Sequence, residues 1–150
     1  MSVSLTGKDT IIIDTRILND LGTGDVANLE FPNNLVEAKP GKNGNTIYAY
    51  NASGKLANVT LRVLRGSSDD KYLASRMQEY INDPAAFVLI AGEVIKRVGD
   101  GAGNITNDIY TMKGGVIQKI PGGKENVEGD TEQALSIYVI VFANNDRVMG

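Results

Sequence analysis

With no histidine and no cysteine among its 150 residues, the chain must do any acid–base or metal chemistry with carboxylates, lysines and tyrosines. Ser-His-Asp and Cys-His catalysis are excluded, as are disulfides and thiolate zinc sites. Four Gly-Lys pairs, Gly7-Lys8, Gly41-Lys42, Gly54-Lys55 and Gly123-Lys124, invite a phosphate-loop reading. None is followed by Ser or Thr, and none has a glycine at the P-loop distance upstream, so they read as turns. Asp100, Asn104 and Asp108 offer hard oxygens for calcium if their loop curls, but EF-hand spacing is missing. Gly99, Gly101 and Gly103 alternate without the dinucleotide-binding spacing and read as a linker. Asp69 and Asp70 are adjacent carboxylates at the head of a predicted helix, where the helix dipole favours them without any catalytic role. Lys119, Lys124 and Arg147 read as solvated charges. These residues predict no catalytic, cofactor-binding or metal site.

The elements that would position any site are mostly strands. Residues 10–13 form a β-branched run that 16–18 answer across an Asp14-Thr15 turn, and a further strand is needed beside so short a ribbon. In 26–31, Ala27, Leu29 and Phe31 alternate with Val26, Asn28 and Glu30, a half-buried strand. Residues 35–65 are short extended segments punctuated by Pro-Gly, Asn-Gly and Ser-Gly. Pro40, Gly41, Lys42, Asn43, Gly44 and Asn45 predict a protruding loop. Residues 51–54 suit a four-residue hairpin loop between strands 46–50 and 55–64, and in the latter Val59, Leu61 and Val63 oppose Asn58, Thr60 and Arg62.

One helix is predicted over about 68–82. Ser67 followed by Asp70 resembles a capping box, Leu73, Met77, Tyr80 and Ile81 form an apolar stripe, and Asn82-Asp83-Pro84 ends it. Extended runs follow over 87–98 and 105–112, with Gly114-Gly115 as a bulge or bend before 116–120 and a polar segment over 121–130. The last strand, 134–142, is apolar on both faces: Leu135, Ile137, Val139 and Val141 on one, Tyr138, Ile140 and Phe142 on the other. Such a strand belongs centrally in a sandwich or at a subunit interface. About seven strands and one helix, with no repeat or interdomain linker, predict a single mainly β domain, a sandwich or barrel.

The length suits one core, since a chain this size buries about 70% of its unfolded surface. Apolar residues at 42% and charged residues at 22% fit a folded globular domain, and a net charge of -3 disfavours tight nucleic-acid binding. No stretch has signal-peptide form or membrane-spanning length, so synthesis and initial residence in a cytosol and no membrane insertion are expected. The acceptor patterns at Asn51, Asn58 and Asn104 are then chance matches.

The run GKNGNTIYAYNASGKLANVTLRVLRGSSDDKYL, the segment from Tyr110 to Gly115, the Gly129-Asp-Thr-Glu-Gln133 stretch, and a final strand followed by Arg147 together resemble the tail tube proteins of contractile-tailed bacteriophages. The resemblance spans nearly the whole chain and rests on pattern, with no catalytic signature. It implies a non-enzymatic β-sandwich subunit with a flanking helix, without cofactors, that assembles in the host bacterial cytoplasm into stacked hexameric rings of the virion tail. Neighbouring sheets would join into a β-barrel around a lumen wide enough for DNA to pass without specific binding. Tail sheath, tape-measure, baseplate and tube-terminator proteins are the implied partners. Pro40 to Asn45 would then reach the next ring, Leu135, Ile137, Tyr138, Val139, Ile140 and Phe142 would serve the core or a subunit interface, and Asn28, Glu30, Asn58, Thr60 and Arg62 would face the lumen. Alternatives are the tube of a contractile injection system, a tube-end protein of the same fold, or a carbohydrate-binding module stacking sugars on Tyr48, Tyr50 and Tyr110.

Overall fold

The computed structural model describes residues 2–5, 7, 9–22, 26–122 and 134–150. The Gly123-Lys124 pair, the stretch 129–133 and most of the polar segment 121–130 lie outside the described residues, as does Lys8 of the Gly7-Lys8 pair. The described residues form ten strands: β1 (Ser4–Leu5), β2 (Thr10–Ile13), β3 (Arg16–Ile17), β4 (Ala27–Glu30), β5 (Val36–Pro40), β6 (Thr46–Tyr50), β7 (Ala57–Leu64), β8 (Ile90–Gly99), β9 (Ile105–Lys119) and β10 (Leu135–Met149). Among the described residues a single α-helix, α1 (Ser68–Asn82), connects β7 to β8. Eight strands form one antiparallel sheet in the order β3-β2-β8-β9-β10-β7-β4, with β1 beside β8; β5 and β6 form a separate two-stranded ribbon.

The main sheet curls until its two ends are joined by one segment. Leu18 N–H donates to Ile11 O at one end; at the other, Gly22 N–H donates to Arg62 O and Leu64 N–H to Asp20 O, each within 2.9 Å. Direct cross-strand partners share a face, so register defines the core in rows. Leu29, Val59, Ile140 and Ile117 form one row, and Ala27, Leu61 and Tyr138 the next. Ala57, Phe142, Gly115 and Ile90 form another. Gly115 is required there: a Cβ on it would lie 2.5 Å from the Phe142 ring, and one on Gly92 would lie 2.9 Å from it. The expected bulge at Gly114-Gly115 is present: a step of two residues along β8, from Ile90 to Gly92, opposes one of three along β9, from Gly115 to Met112. Gly114 adopts φ +69, Gly115 provides the seat of Phe142, and β9 runs through both.

Three expectations change. Strand 46–50 does not return along 55–64, because β6 pairs with β5 and β7 lies between β4 and β10. Residues 52–55 are a 3-10 turn whose Gly54 packs against the backbone of Asn34 and Leu35. Of the helix stripe, Leu73 is fully buried and Met77 packs on the core, whereas Tyr80 and Ile81 remain exposed. Finally, β10 continues seven residues past the expected end at Phe142, because β9 pairs with it as far as Met149.

The adjacent aspartates bind the helix to the barrel. Asp69, 2% exposed, accepts hydrogen bonds from Asn19 N–H, Asp20 N–H and Arg16 Nε at 2.8–2.9 Å. It thereby fixes the segment that closes the sheet. Asp70 accepts from Gly66 N–H, from Ser136 Oγ and from the Tyr138 hydroxyl, while its own N–H donates to Ser67 Oγ as the helix cap. At Asp14-Thr15 the predicted turn is present with both residues at positive φ, +50 and +67. That conformation is unusual for a β-branched residue. Asp14 is held there by accepting from Ala91 N–H and Tyr72 Oη and by pairing with Arg76 at 3.1 Å.

Burial raises the pKa of Asp69, but the Asp20 and Asn19 amides and the Arg16 guanidinium outweigh it and hold the carboxyl below the ordinary 3.8. Its stabilising contribution is therefore complete above the ordinary aspartate range and is lost as pH falls through the lowered folded-state value. Urea midpoints should stay level from pH 8 to about 5.5 and drop below about pH 4. Asp69→Asn should lower the unfolding free energy at neutral pH by about 2–3 kcal/mol and shallow the acid drop. An unchanged acid limb would contradict the assignment.

Candidate assembly surfaces

The β5–β6 ribbon is the least covered part of the described structure. Residues 31–40 and 42–50 are all exposed, and only Gly41 is partly covered. The predicted loop is its tip: a 3-10 turn at Lys42–Gly44 with Asn43 at φ +66 and Gly44 at φ +82, closed by a hydrogen bond from Gly41 N–H to Asn45 O. Pro40 pairs with Thr46 at the last rung. At the base, Asn51 N–H donates to Leu35 O, Asn33 Nδ2 to Ser53 O, and the Asn51 side chain accepts from Ser53.

Register puts Val36 opposite Tyr50 and Ala38 opposite Tyr48 on one face of this ribbon, with Glu37–Ala49 and Lys39–Ile47 on the other. Tyr48 is 72% and Tyr50 66% exposed. A lone two-stranded ribbon is marginal in water, and one showing two uncovered tyrosines is suited to a contact with another molecule.

A second surface is the solvent side of β4, β7, β10 and β9. Here Glu30, Asn58, Val141 and Val116 form one row, and Asn28, Thr60, Val139 and Lys119 the next. Arg62 stands beside Ile137, and Leu64 beside Leu135. The structure thus brings together Asn28, Glu30, Asn58, Thr60 and Arg62, and it places Leu135, Ile137 and Val139 on that same face. Tyr138, Ile140 and Phe142 point the other way, into the core. The sheet face grades from polar on β4 and β7 to apolar on β10 and β9.

This face is bounded by two open edges among the described residues. β4 pairs only with β7, and β9 beyond Gly115 pairs only with β10. On β4, Val26 O accepts from Arg62 N–H. In an antiparallel ladder the inward and outward groups alternate; Asn28 and Glu30 therefore turn their backbone groups to β7, while Ala27 and Leu29 turn theirs outward. Periodicity could have located neither these edges nor the shared face, since both depend on which distant strands pair.

The residues considered for chemistry are engaged elsewhere. Asp100 accepts from Ala102 N–H, Asn104 N–H and Asn104 Nδ2, an internal loop arrangement. Asp108 is instead bound to Arg147 through two bonds of 2.8 Å. Those bonds lower its pKa against the opposing effect of burial. Arg147 is therefore not a free solvated charge; its guanidinium also lies 5.2 Å from the Tyr110 ring, which stacks on Phe31 at 6.2 Å. Tyr110 is thus on the main sheet with its own partners, apart from the ribbon that carries Tyr48 and Tyr50. No cluster of three or more metal-binding side chains occurs among the described residues. No described helix is long and apolar enough to cross a membrane.

No protein-family model and no curated protein matches the chain. The fold is similar to that of a solved chain from a cryo-EM structure of an extracellular contractile injection system, described as the PVC sheath/tube terminator in its extended state. The TM-score is 0.54 at 8% identity, covering 96% of this chain and 94% of the other.

Proposed function

We propose that the protein is a non-enzymatic structural subunit of a contractile tail or injection system, one that closes into rings and stacks them into a tube. The observation that carries this reading is the four-stranded face bounded by the open edges of β4 and β9. Joining the β4 edge of one copy to the β9 edge of the next is a heterologous contact that closes into a ring and pairs both edges. The face then becomes a continuous wall, on which Asn28, Asn58 and Thr60 are uncharged, Glu30 offsets Arg62, and Lys119 adds one cation at the β9 edge. Such a wall attracts phosphates weakly, which suits passage of nucleic acid; protein cargo in an injection system is equally compatible. The similarity to a sheath/tube terminator and the resemblance to tail tube proteins support the same class of assembly, with hexameric rings, a sheath outside and assembly in the bacterial cytoplasm.

The ribbon serves stacking in this account, its tip at Pro40 to Asn45 reaching the adjacent ring. Deleting Lys42 to Asn45 should leave a folded subunit that closes rings but stacks them poorly. Negative-stain microscopy at rising concentration would check this, and normal tube length and yield would remove the role given to the tip. A second reading, favoured by the description of the fold neighbour, is that the protein caps a tube. A cap would stop at single rings at all concentrations, whereas a tube subunit stacks many.

A further inference from the structure

Stacking through the ribbon leaves open what receives it, and a groove at the end of α1 fits. It has a volume of about 310 Å³ and is lined by Arg76, Glu79, Asn82, Asp83, Phe87 and Val88, among others. Its aromatic floor is fixed: Tyr80 meets the Phe87 ring edge-on at 5.3 Å, and the Arg76 guanidinium lies 4.7 Å from that ring. Around it Val88 is 73% exposed, and Ile81 and Leu89 are about half exposed. The apolar helix stripe that fails to reach the core ends here. The rim is acidic, because Arg76 is paired with both Asp14 and Glu79, leaving Asp83 and the outer part of Glu79 uncompensated.

We propose that the β5–β6 ribbon of one copy docks into this groove on a second copy, with Tyr48 or Tyr50 against Phe87 and Val88, and Lys42 beside Glu79 and Asp83. The inference rests on the assembly reading and names its inter-subunit contact. The ribbon presents an apolar tyrosine face and, at its tip, Lys39 and Lys42; the groove presents apolar walls and acid. The apolar residues on the outer face of β10 belong to the wall between the open edges. A tyrosine buries about 150–250 Å², so one ribbon falls short of the roughly 800 Å² per partner of a stable pair. Each copy gives one ribbon and receives one, however, which favours a repeating assembly over an isolated dimer.

Because the chain has no cysteine, an engineered pair reports this contact without background. Tyr48→Cys with Val88→Cys, and Tyr50→Cys with Val88→Cys, change only exposed side chains and should leave folding intact. Under mild oxidation after assembly, at least one pair should lose its monomer band on a non-reducing denaturing gel to a ladder of dimers and higher multiples, since a disulfide needs Cβ atoms about 4 Å apart. A control pair, Leu5→Cys with Val88→Cys, should remain monomeric; Leu5 is 71% exposed but lies outside the ribbon. Assemblies visible by microscopy with no ladder from either ribbon pair, or with an equal ladder from the control, would overturn the docking and spare the assembly reading. Absence of assemblies from the unmodified protein at every concentration would overturn both.

Discussion

Ala27→Pro should give a folded subunit that no longer closes rings. The Ala27 N–H points out of the open edge of β4, so a proline there removes no hydrogen bond within the subunit. Proline is tolerated on edge strands for this reason, and its ring obstructs addition of a further strand. Sedimentation velocity should show a monomer at concentrations where the unmodified protein is assembled, with circular dichroism unchanged. Rings of normal size from this variant would show that closure does not use the β4 edge. A variant that unfolds would show that Ala27 N–H serves an intrachain contact.

Phe142→Ala should cost about 3–5 kcal/mol, the range for emptying a large aromatic site in a packed core. Phe142 is fully buried, and its ring occupies the space that side chains on Gly92 and Gly115 would fill. Neither glycine can relax a side chain into the void, so little of the cavity should close. For a chain of this length the loss corresponds to a fall in melting temperature of about 10 °C or more, measurable by calorimetry. A fall of only a few degrees would mean that the surrounding strands collapse into the site.

The contrast between these two positions shows what the sequence makes legible. Local chemistry reads well: Ser67 caps the helix that spans Ser68–Asn82, and Val59, Leu61 and Val63 alternate inward as their spacing predicts. The turn at Asp14-Thr15 is equally local. What depends on distant pairing does not read. The bulge at Gly114-Gly115 shows in the sequence, but nothing there shows that Gly115 also seats Phe142, and β6 looks like the partner of β7 until Gly54 is seen seated against Asn34 and Leu35. Asn58 and Val141 give no sign in sequence that they stand side by side on one face. Arg147 reads as solvated because nothing local marks Asp108, 39 residues away, as its partner. The candidate surfaces follow the same division: the protruding tip is visible in its Pro, Gly and Asn residues, whereas the wall and its open edges exist only once the strand order is known.

The claim that this chain builds a tube is tested most directly by negative-stain electron microscopy of the purified protein over a concentration series. Stacked rings with a central hole, growing longer as concentration rises, are the predicted result. A monomer that persists at every concentration, and binds a glycan array through Tyr48 and Tyr50, would contradict it.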